Sequence, residues 1–300
     1  MGENHRNLIV ILGPTATGKT AVAVRLAKQV GTEIISADSR QVYRGMDIGT
    51  GKDLDEYRRA GVVCHLIDLL DPAGEFSVYD YQQAFFSRFG EMRERGLIPV
   101  MSGGSGLYIE SVLRNYRMAE VPENHLLRRE LMPLGMDELK AILLELKPVL
   151  HNKTDFTDRE RIIRAIEIAS RPPEDTPERP EIRPLVIGIS CGREELRKKI
   201  GERLRKRMDS GMIEEVQGLV NAGIGWERLD RFGLEYRCTG LYLRGEMTRS
   251  ELIDTLEIRI RRFAKRQMTW FRRMERLGIR IRWFNSGEYE NISEYVRNSL

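Results

Sequence analysis

Cysteine and histidine are scarce in this chain. Its three cysteines, Cys64, Cys191 and Cys238, lie far apart with no CxxC pair, and its four histidines, His5, His65, His125 and His151, show no metal-ligand spacing. This argues against a disulfide framework or a zinc site and suits reduced thiols in a cytoplasmic setting. Long apolar runs are missing too. Nothing approaches the ~18 consecutive apolar residues that span a bilayer. The N-terminal run Leu8–Leu12 is also too short for the apolar core of a signal peptide. A soluble, cytoplasmic protein with no membrane partner is expected.

With 41% hydrophobic residues in 300, there is enough material for one large domain or two smaller ones. The net charge of +4 says little by itself, but its distribution says more. Between Arg259 and Arg282 stand ten basic residues, nearly all arginine, and a single acid, Glu275, with Trp270, Phe271 and Trp283 interleaved. A solvated basic face usually carries balancing acids. This stretch lacks them, which favours a polyanion partner, with nucleic acid foremost. Arginine suits bidentate phosphate contacts and stacking on bases. Arg193–Arg207 is rich in basic residues as well.

The most informative stretch is Leu8-Ile-Val-Ile-Leu-Gly-Pro-Thr-Ala-Thr-Gly-Lys-Thr20. A β-type run leads into Gly13, Pro14, Thr15, Ala16, Thr17, Gly18, Lys19 and Thr20, and a helix-forming run, Ala21–Lys28, follows. Strand, phosphate loop and helix stand in the order that a P-loop requires. Gly13 and Gly18 let backbone N–H groups converge on one anion, and the new helix adds its positive end. Lys19 supplies a point charge for the terminal phosphates and Thr20 an oxygen for magnesium. The loop implies a di- or polyphosphate without saying which one.

Further along, Glu33–Ser36, Val62–Asp68 and Ile98–Met101 read as strands and Ser77–Arg95 as a helix. The predicted fold class is therefore α/β, with a P-loop parallel-sheet core over residues 1–114. In such sheets ligands collect at the carboxyl ends of strands. Gly13–Thr20, Asp38 and Gly103–Ser105 all follow strands and should converge. Residues 115–170 read as a helical insertion, with helical segments at Asp137–Lys147 and Asp158–Ala169. Arg171–Pro184 holds five of the eleven prolines, which marks an exposed linker. Residues 171–300 return to the core through a strand at Leu185–Ser190. From Arg193 onward the chain reads as helical and basic. Among the histidines, His65 follows a strand and reads as buried structure.

Asp38 opens a segment dense in polar groups and glycine, Asp38–Lys52. A carboxylate at a strand end can act as a general base, accept a hydrogen bond from an amine, or cap the next helix. The residue pattern leaves these open.

Taken together, Gly13–Thr20, Asp38–Lys52, His65-Leu-Ile-Asp-Leu-Leu-Asp-Pro72, Gly103-Gly-Ser-Gly-Leu-Tyr108, Arg161-Ile-Ile-Arg-Ala-Ile-Glu167 and Ala264-Lys-Arg-Gln-Met-Thr-Trp270 resemble the signatures of tRNA dimethylallyltransferases, also called tRNA isopentenyltransferases. The motifs stand in family order across nearly the whole chain. The resemblance implies transfer of a dimethylallyl group from dimethylallyl diphosphate to N6 of the adenosine beside the tRNA anticodon, with diphosphate leaving. It implies that Gly13–Thr20 grips the diphosphate of the prenyl donor, that Mg2+ sits at Thr20, and that Asp38 is the general base, with Ser105 and Arg237 beside it in catalysis. The anticodon stem-loop of the tRNA would be held by Asp38, Ser39, Arg40, Gln41, Ser105, Arg129, Glu160, Arg161, Ile162, Ile163, Arg164, Lys265, Arg266 and Gln267, on an enzyme acting as a monomer.

This chain departs from the family pattern at two places. Ser105 stands where threonine is usual, which keeps the hydroxyl. Glu235, just before Tyr236 and Arg237, stands where glycine is usual and brings bulk and negative charge. The insertion also looks short, and Val121-Pro-Glu-Asn-His125 meets its usual opening only loosely. Other readings are a prenyltransferase of free adenine nucleotides, a small-molecule P-loop kinase and a non-catalytic RNA-binding protein. Against the kinase, the strand before Gly103 ends in Met101-Ser102 rather than in an aspartate. Plain RNA binding has no use for both the phosphate loop and Asp38.

Overall fold

Five apolar residues in a row, Leu8–Leu12, make strand β1, and all five are buried. A strand paired on both edges and covered on both faces reads as an unbroken apolar run. A computed structural model describes residues 6–118, 121–146, 156, 158–171 and 179–300. They fall into two compact units: the chain up to Tyr116 together with Arg179 onward, and Arg117–Glu178.

The larger unit begins β1, α1 (Lys19–Val30), β2 (Ile34–Ala37), α2 (Leu54–Ala60), β3 (Cys64–His65), α3 (Val78–Glu94), β4 (Val100–Gly103) and α4 (Gly106–Leu113). The smaller unit holds α5 (His125–Leu131), α6 (Met136–Leu146) and α7 (Arg159–Ala169). The chain returns through β5 (Pro184–Ser190), then α8 (Arg193–Asp209), α9 (Met212–Asn221), α10 (Trp226–Arg231), α11 (Leu234–Leu243), α12 (Arg249–Arg276), β6 (Ile281–Asn285) and α13 (Tyr289–Arg297).

All six strands pair in parallel in the order β3-β2-β4-β1-β5-β6. Side chains alternate across the sheet. Leu8, Val10 and Leu12 pack with Tyr81, Phe85 and Phe89 of α3 and with Phe271 and Met274 of α12. Ile9 and Ile11 pack with Val22 and Leu26 of α1 and with Ile292 and Val296 of α13. This α/β architecture is the one expected from the sequence. At roughly 1.5 Å per residue, the 28 residues of α12 make a rod about 42 Å long. Its N-terminal half packs Leu252, Leu256 and Ile260 against Ile200, Leu204 and Met208 of α8.

Three local expectations differ from the structure. The strand expected at Val62–Asp68 is only Cys64–His65, because Leu66 and Asp68 turn the backbone with φ of 61° and 55°. The strand expected at Ile98–Met101 runs on to Gly103. The chain after Arg193 is not helical throughout, since Ile281–Asn285 adds the sixth strand beside β5. Its Trp283 lies across Gly188, where a Cβ would come within 2.3 Å of the ring. The proline-rich linker expected at Arg171–Pro184 lies outside the described residues over 172–178, as do His5, Lys147 and His151. His65 bonds to the Glu33 carboxylate at 2.6 Å, and Glu33 also receives both terminal nitrogens of Arg95 at 2.7 Å, a structural arrangement.

In the smaller unit Leu131, Leu139, Leu143, Ile162, Ile163 and Ile166 form the core. The side chains of Ile162 and Ile163 are thus internal, so any contact that they make with tRNA would run through their backbone. Glu167 is buried below them and accepts from Arg128 Nε at 2.8 Å, Arg164 Nη1 at 3.0 Å and the Asn124 amide at 2.9 Å. Burial pushes its carboxyl up, but the hydrogen bonds from Arg128, the Asn124 amide and Arg164 outweigh it and hold the pKa at about 2. Arg129, Glu160 and Arg161 are exposed.

Candidate active site

The phosphate-type loop is built as its sequence implies. It leaves β1 at Gly13, where a Cβ would lie 2.4 Å from the Ile189 carbonyl oxygen, so the loop can pass only with glycine there. Ala16 and Gly18 take positive φ, 64° and 81°. Thr17 donates its hydroxyl to the Pro14 carbonyl at 2.9 Å and is fully buried, fixing the curl. No side chain caps α1; the Gly18 carbonyl accepts from the Val22 amide at 3.3 Å, and the amides before it at the start of the helix are the ones an anion in the loop can take up.

Beside it stand the ends of β2 and β4. Gly103 leaves no room for a side chain, since a Cβ there would lie 2.1 Å from the Ala37 carbonyl oxygen. That close approach brings Ser105 to Asp38 and its neighbours. The Ser105 hydroxyl accepts from the Ser39 amide at 2.9 Å and donates to Ser39 Oγ at 3.2 Å. Asp38 Oδ1 accepts from the Arg40 amide at 3.0 Å, closing a local turn. No helix begins until Leu54, so Asp38 is not a helix cap, and it makes no ion pair among the described residues. Gln267 of α12 joins the two loops. Its Oε1 accepts from the Thr15 amide at 2.9 Å and its Nε2 donates to the Gly104 carbonyl at 2.9 Å. With both amide ends used internally and the residue buried, Gln267 is a tie within the site.

The cations come from α1 and α8. Burial is the main cause that pushes the Lys19 pKa down to about 8; Arg203 adds to it, while the charges of Asp38 and Asp53 act in the opposite direction. Arg203 reaches Thr15 Oγ1 at 3.4 Å, the Gly51 carbonyl at 3.1 Å and Asp53 at 3.6 Å. Arg207, one helical turn on, donates to the Gly49 carbonyl at 3.4 Å and to Glu235 Oε1 at 3.2 Å. Burial and the neighbouring Arg203 push its pKa down to about 10. The basic run Arg193–Arg207 was the only signal of these two residues, and four-residue spacing puts them on one face of α8. Arg237, expected at the diphosphate, is exposed on α11, and its side chain makes no hydrogen bond or ion pair among the described residues.

The Asp38–Lys52 segment is held from outside itself. The Glu215 carboxylate of α9 accepts from the amides of Asp47 and Ile48 at 2.7 Å and of Gly49 at 2.9 Å, and from the Tyr236 hydroxyl at 2.7 Å. Nothing local in the sequence points to Glu215. Lys52 is buried between the Tyr43 carbonyl at 2.6 Å, Asp47 at 2.7 Å and Asp68. Gln41 donates to the Gly51 carbonyl at 3.2 Å. Arg40 reaches Glu235 Oε2 at 3.3 Å with its guanidinium 4.8 Å from the centre of the Phe263 ring. Arg266 lies 5.7 Å from the same ring, and both Lys265 and Arg266 are exposed.

The structure thus brings together Gly13–Thr20, Asp38–Gln41, Ser105 and Gln267, and adds Arg203, Arg207, Glu215 and Glu235. Among the described residues no group of three or more His, Cys, Asp and Glu could hold a metal ion, so a cation here would rest on a hydroxyl such as that of Thr20 and on the ligand's own oxygens. No helix among them is long and apolar enough to cross a membrane.

A family model described as IPP transferase matches residues 41–274. The tRNA dimethylallyltransferase 1 of Syntrophus aciditrophicus is 54% identical over 301 residues, covering 98% of this chain and 99% of that protein. The tRNA dimethylallyltransferase 2 of Trichlorobacter lovleyi is 55% identical over 282 residues, 93% of this chain and 92% of its own. The crystal structure of the full-length tRNA isopentenylpyrophosphate transferase from Bacillus halodurans matches with a TM-score of 0.72 at 34% identity, covering 98% of this chain and 96% of that one. A eukaryotic dimethylallyltransferase acting on tRNA matches with a TM-score of 0.80, covering 98% of this chain and 80% of its own, and at 21% identity the likeness is one of fold.

Proposed function

The chain belongs to the IPP transferase family, and from that premise we propose that it transfers a dimethylallyl group from dimethylallyl diphosphate to N6 of the adenosine adjacent to the anticodon in tRNA. The observation that carries this reading is the meeting of Asp38 with a cation-lined phosphate loop at the carboxyl ends of β1, β2 and β4. One end of the site suits a leaving diphosphate and the other suits an amine that must lose a proton.

The adenine N6 attacks C1 of the dimethylallyl group while the bond from C1 to the bridging oxygen breaks and its electron pair leaves with diphosphate. The N6 proton passes to Asp38. An aryl amine is a poor nucleophile, so proton removal during attack is what a carboxylate at this place contributes. The amides of the Gly13–Thr20 loop, with Lys19, Arg203 and Arg207, receive the charge that builds on the diphosphate. Magnesium fits the oxygen chemistry of Thr20, which would hold it together with diphosphate oxygens and water, and it would neutralise leaving-group charge. The target base must leave the anticodon-loop stack to reach this depth, at a cost of a few kcal/mol. Ser39, Arg40, Gln41 and Ser105 around Asp38, exposed Lys265 and Arg266, and Arg129, Glu160, Arg161 and Arg164 in the smaller unit are the residues proposed to hold the tRNA. We take the enzyme to work as a monomer in the cytoplasm.

The test is incubation with labelled dimethylallyl diphosphate, magnesium and total bacterial tRNA, with AMP and ATP in parallel. Label recovered from tRNA as N6-dimethylallyladenosine is the expected result. Label in AMP or ATP alone would make the acceptor a free nucleotide.

Lys19 gives the reaction a pH signature. With a pKa near 8 in the free enzyme, it is charged below that pH and loses its charge as pH rises through it. The KM for the prenyl donor should therefore be flat below about pH 8 and climb above it. Lys19→Arg, charged throughout, should remove the climb. Lys19→Ala should raise KM at every pH. A donor KM that ignores both substitutions would take Lys19 out of the donor site.

A further inference from the structure

Glu235 lies in the first turn of α11 with its side chain only 9% exposed, and it meets two arginines with two different oxygens. Oε1 accepts from Arg207 Nη1 at 3.2 Å and Oε2 from Arg40 Nη1 at 3.3 Å. Arg207 belongs to the cation group around the phosphate loop, whereas Arg40 follows Asp38 on the acceptor side. The room for this bridge is built in: Gly233, at φ 119°, leaves the space that the Arg40 guanidinium fills, a Cβ there lying 2.5 Å from its central carbon. Burial first, and after it the charge of Arg203, push the Lys19 and Arg207 pKa values down, and Glu235 is a buried anion that opposes this at Arg207.

We propose that Glu235 is a positioning residue that acts as a resident counter-anion, competing with diphosphate for Arg207 so that the product is released. The inference rests on the donor diphosphate lying at the Gly13–Thr20 loop. A fully paired carboxylate so close to an anion site weakens the hold on substrate and product alike. It weakens most the hold on free diphosphate, which carries more charge than its prenyl ester. The same bridge ties Arg40 to Arg207, so departure of the diphosphate from Arg207 restores the ion pair that was displaced.

Binding of inorganic diphosphate with magnesium tests this by calorimetry on the wild-type chain and on Glu235→Gln, Glu235→Asp and Glu235→Gly, each first checked for an unchanged thermal melt. Glu235→Gln should bind diphosphate about fivefold or more tightly and show correspondingly stronger product inhibition of transfer. Glu235→Gly removes the side chain altogether and should do the same, which covers the case in which the glutamine variant does not fold. Glu235→Asp, which keeps the charge, should stay within about twofold of wild type. A purely structural role cannot tighten binding. Unchanged or weaker diphosphate binding in the folded Gln and Gly variants overturns the inference while leaving the donor site standing. No diphosphate binding by the wild type and by every variant overturns the donor-site reading and this inference with it.

Discussion

Asp38→Asn should lower turnover by about 10²-fold or more while leaving tRNA affinity nearly intact, the usual scale for loss of a general base. The substitution is close to isosteric. The asparagine side chain keeps an oxygen for the Arg40 amide, now accepted by Asp38 Oδ1 at 3.0 Å, so the turn that presents the acceptor side survives. What disappears is the capacity to take the N6 proton. A small second effect has a defined sign: the Asp38 charge raises the Lys19 pKa, so its removal should lower that pKa further and begin the rise in donor KM at a lower pH. Single-turnover transfer and tRNA binding, measured on the same preparation, separate the two. Normal turnover in the variant would reduce Asp38 to the turn-forming residue that its hydrogen bond to Arg40 already makes it.

The second large effect is expected far from any reacting atom. Glu215→Ala would leave the amides of Asp47, Ile48 and Gly49 and the Tyr236 hydroxyl without their common acceptor. Stranding several partly buried donors should cost about 2–4 kcal/mol, a fall in Tm of roughly 5–10 °C for a domain of this size. Function should fall with it, because the Gly49 and Gly51 carbonyls are what Arg207 and Arg203 rest against. Donor KM should rise more than tRNA affinity falls. Glu215→Gln retains one acceptor oxygen and should recover part of the stability. An unchanged melt in Glu215→Ala would mean that the loop holds its shape by itself.

The phosphate loop, Asp38 and Ser105 were legible in the sequence for a simple reason: each follows directly after an apolar strand, and a parallel sheet delivers strand ends to one edge. Local pattern carries that information. It does not carry the identity of a partner chosen across the fold. Glu215 is one of two adjacent acids on α9, and Arg203 and Arg207 are two of many basic residues on α8. Only the packing of those helices on the core selects them. The helix α11 shows the same limit at close range. Residues 235 and 237 are two apart, about 200° around a helix, so seating Glu235 against Arg207 and Arg40 turns Arg237 out to solvent. The strand β6 was hidden differently. Its Arg282 prolongs the arginine-rich pattern of α12, and its role shows only when Trp283 meets the bare backbone of Gly188.

Gln267 sits on a single 28-residue helix whose N-terminal half is packed against α8 and whose C-terminal half underlies the sheet. One side chain on that rod holds both the loop at Thr15 and the loop at Gly104. It works as an alignment jig: the two half-sites inherit their spacing from one rigid part, so neither can drift without the other. Misplacement of reacting groups by about 1 Å can cost 10²-fold in rate, and shared registration guards against that error. It also sets a rule for redesign. A change that tilts α12 to admit a different acceptor will carry the phosphate loop along, so acceptor range is better altered at Ser39, Arg40 or Gln41 than along the helix.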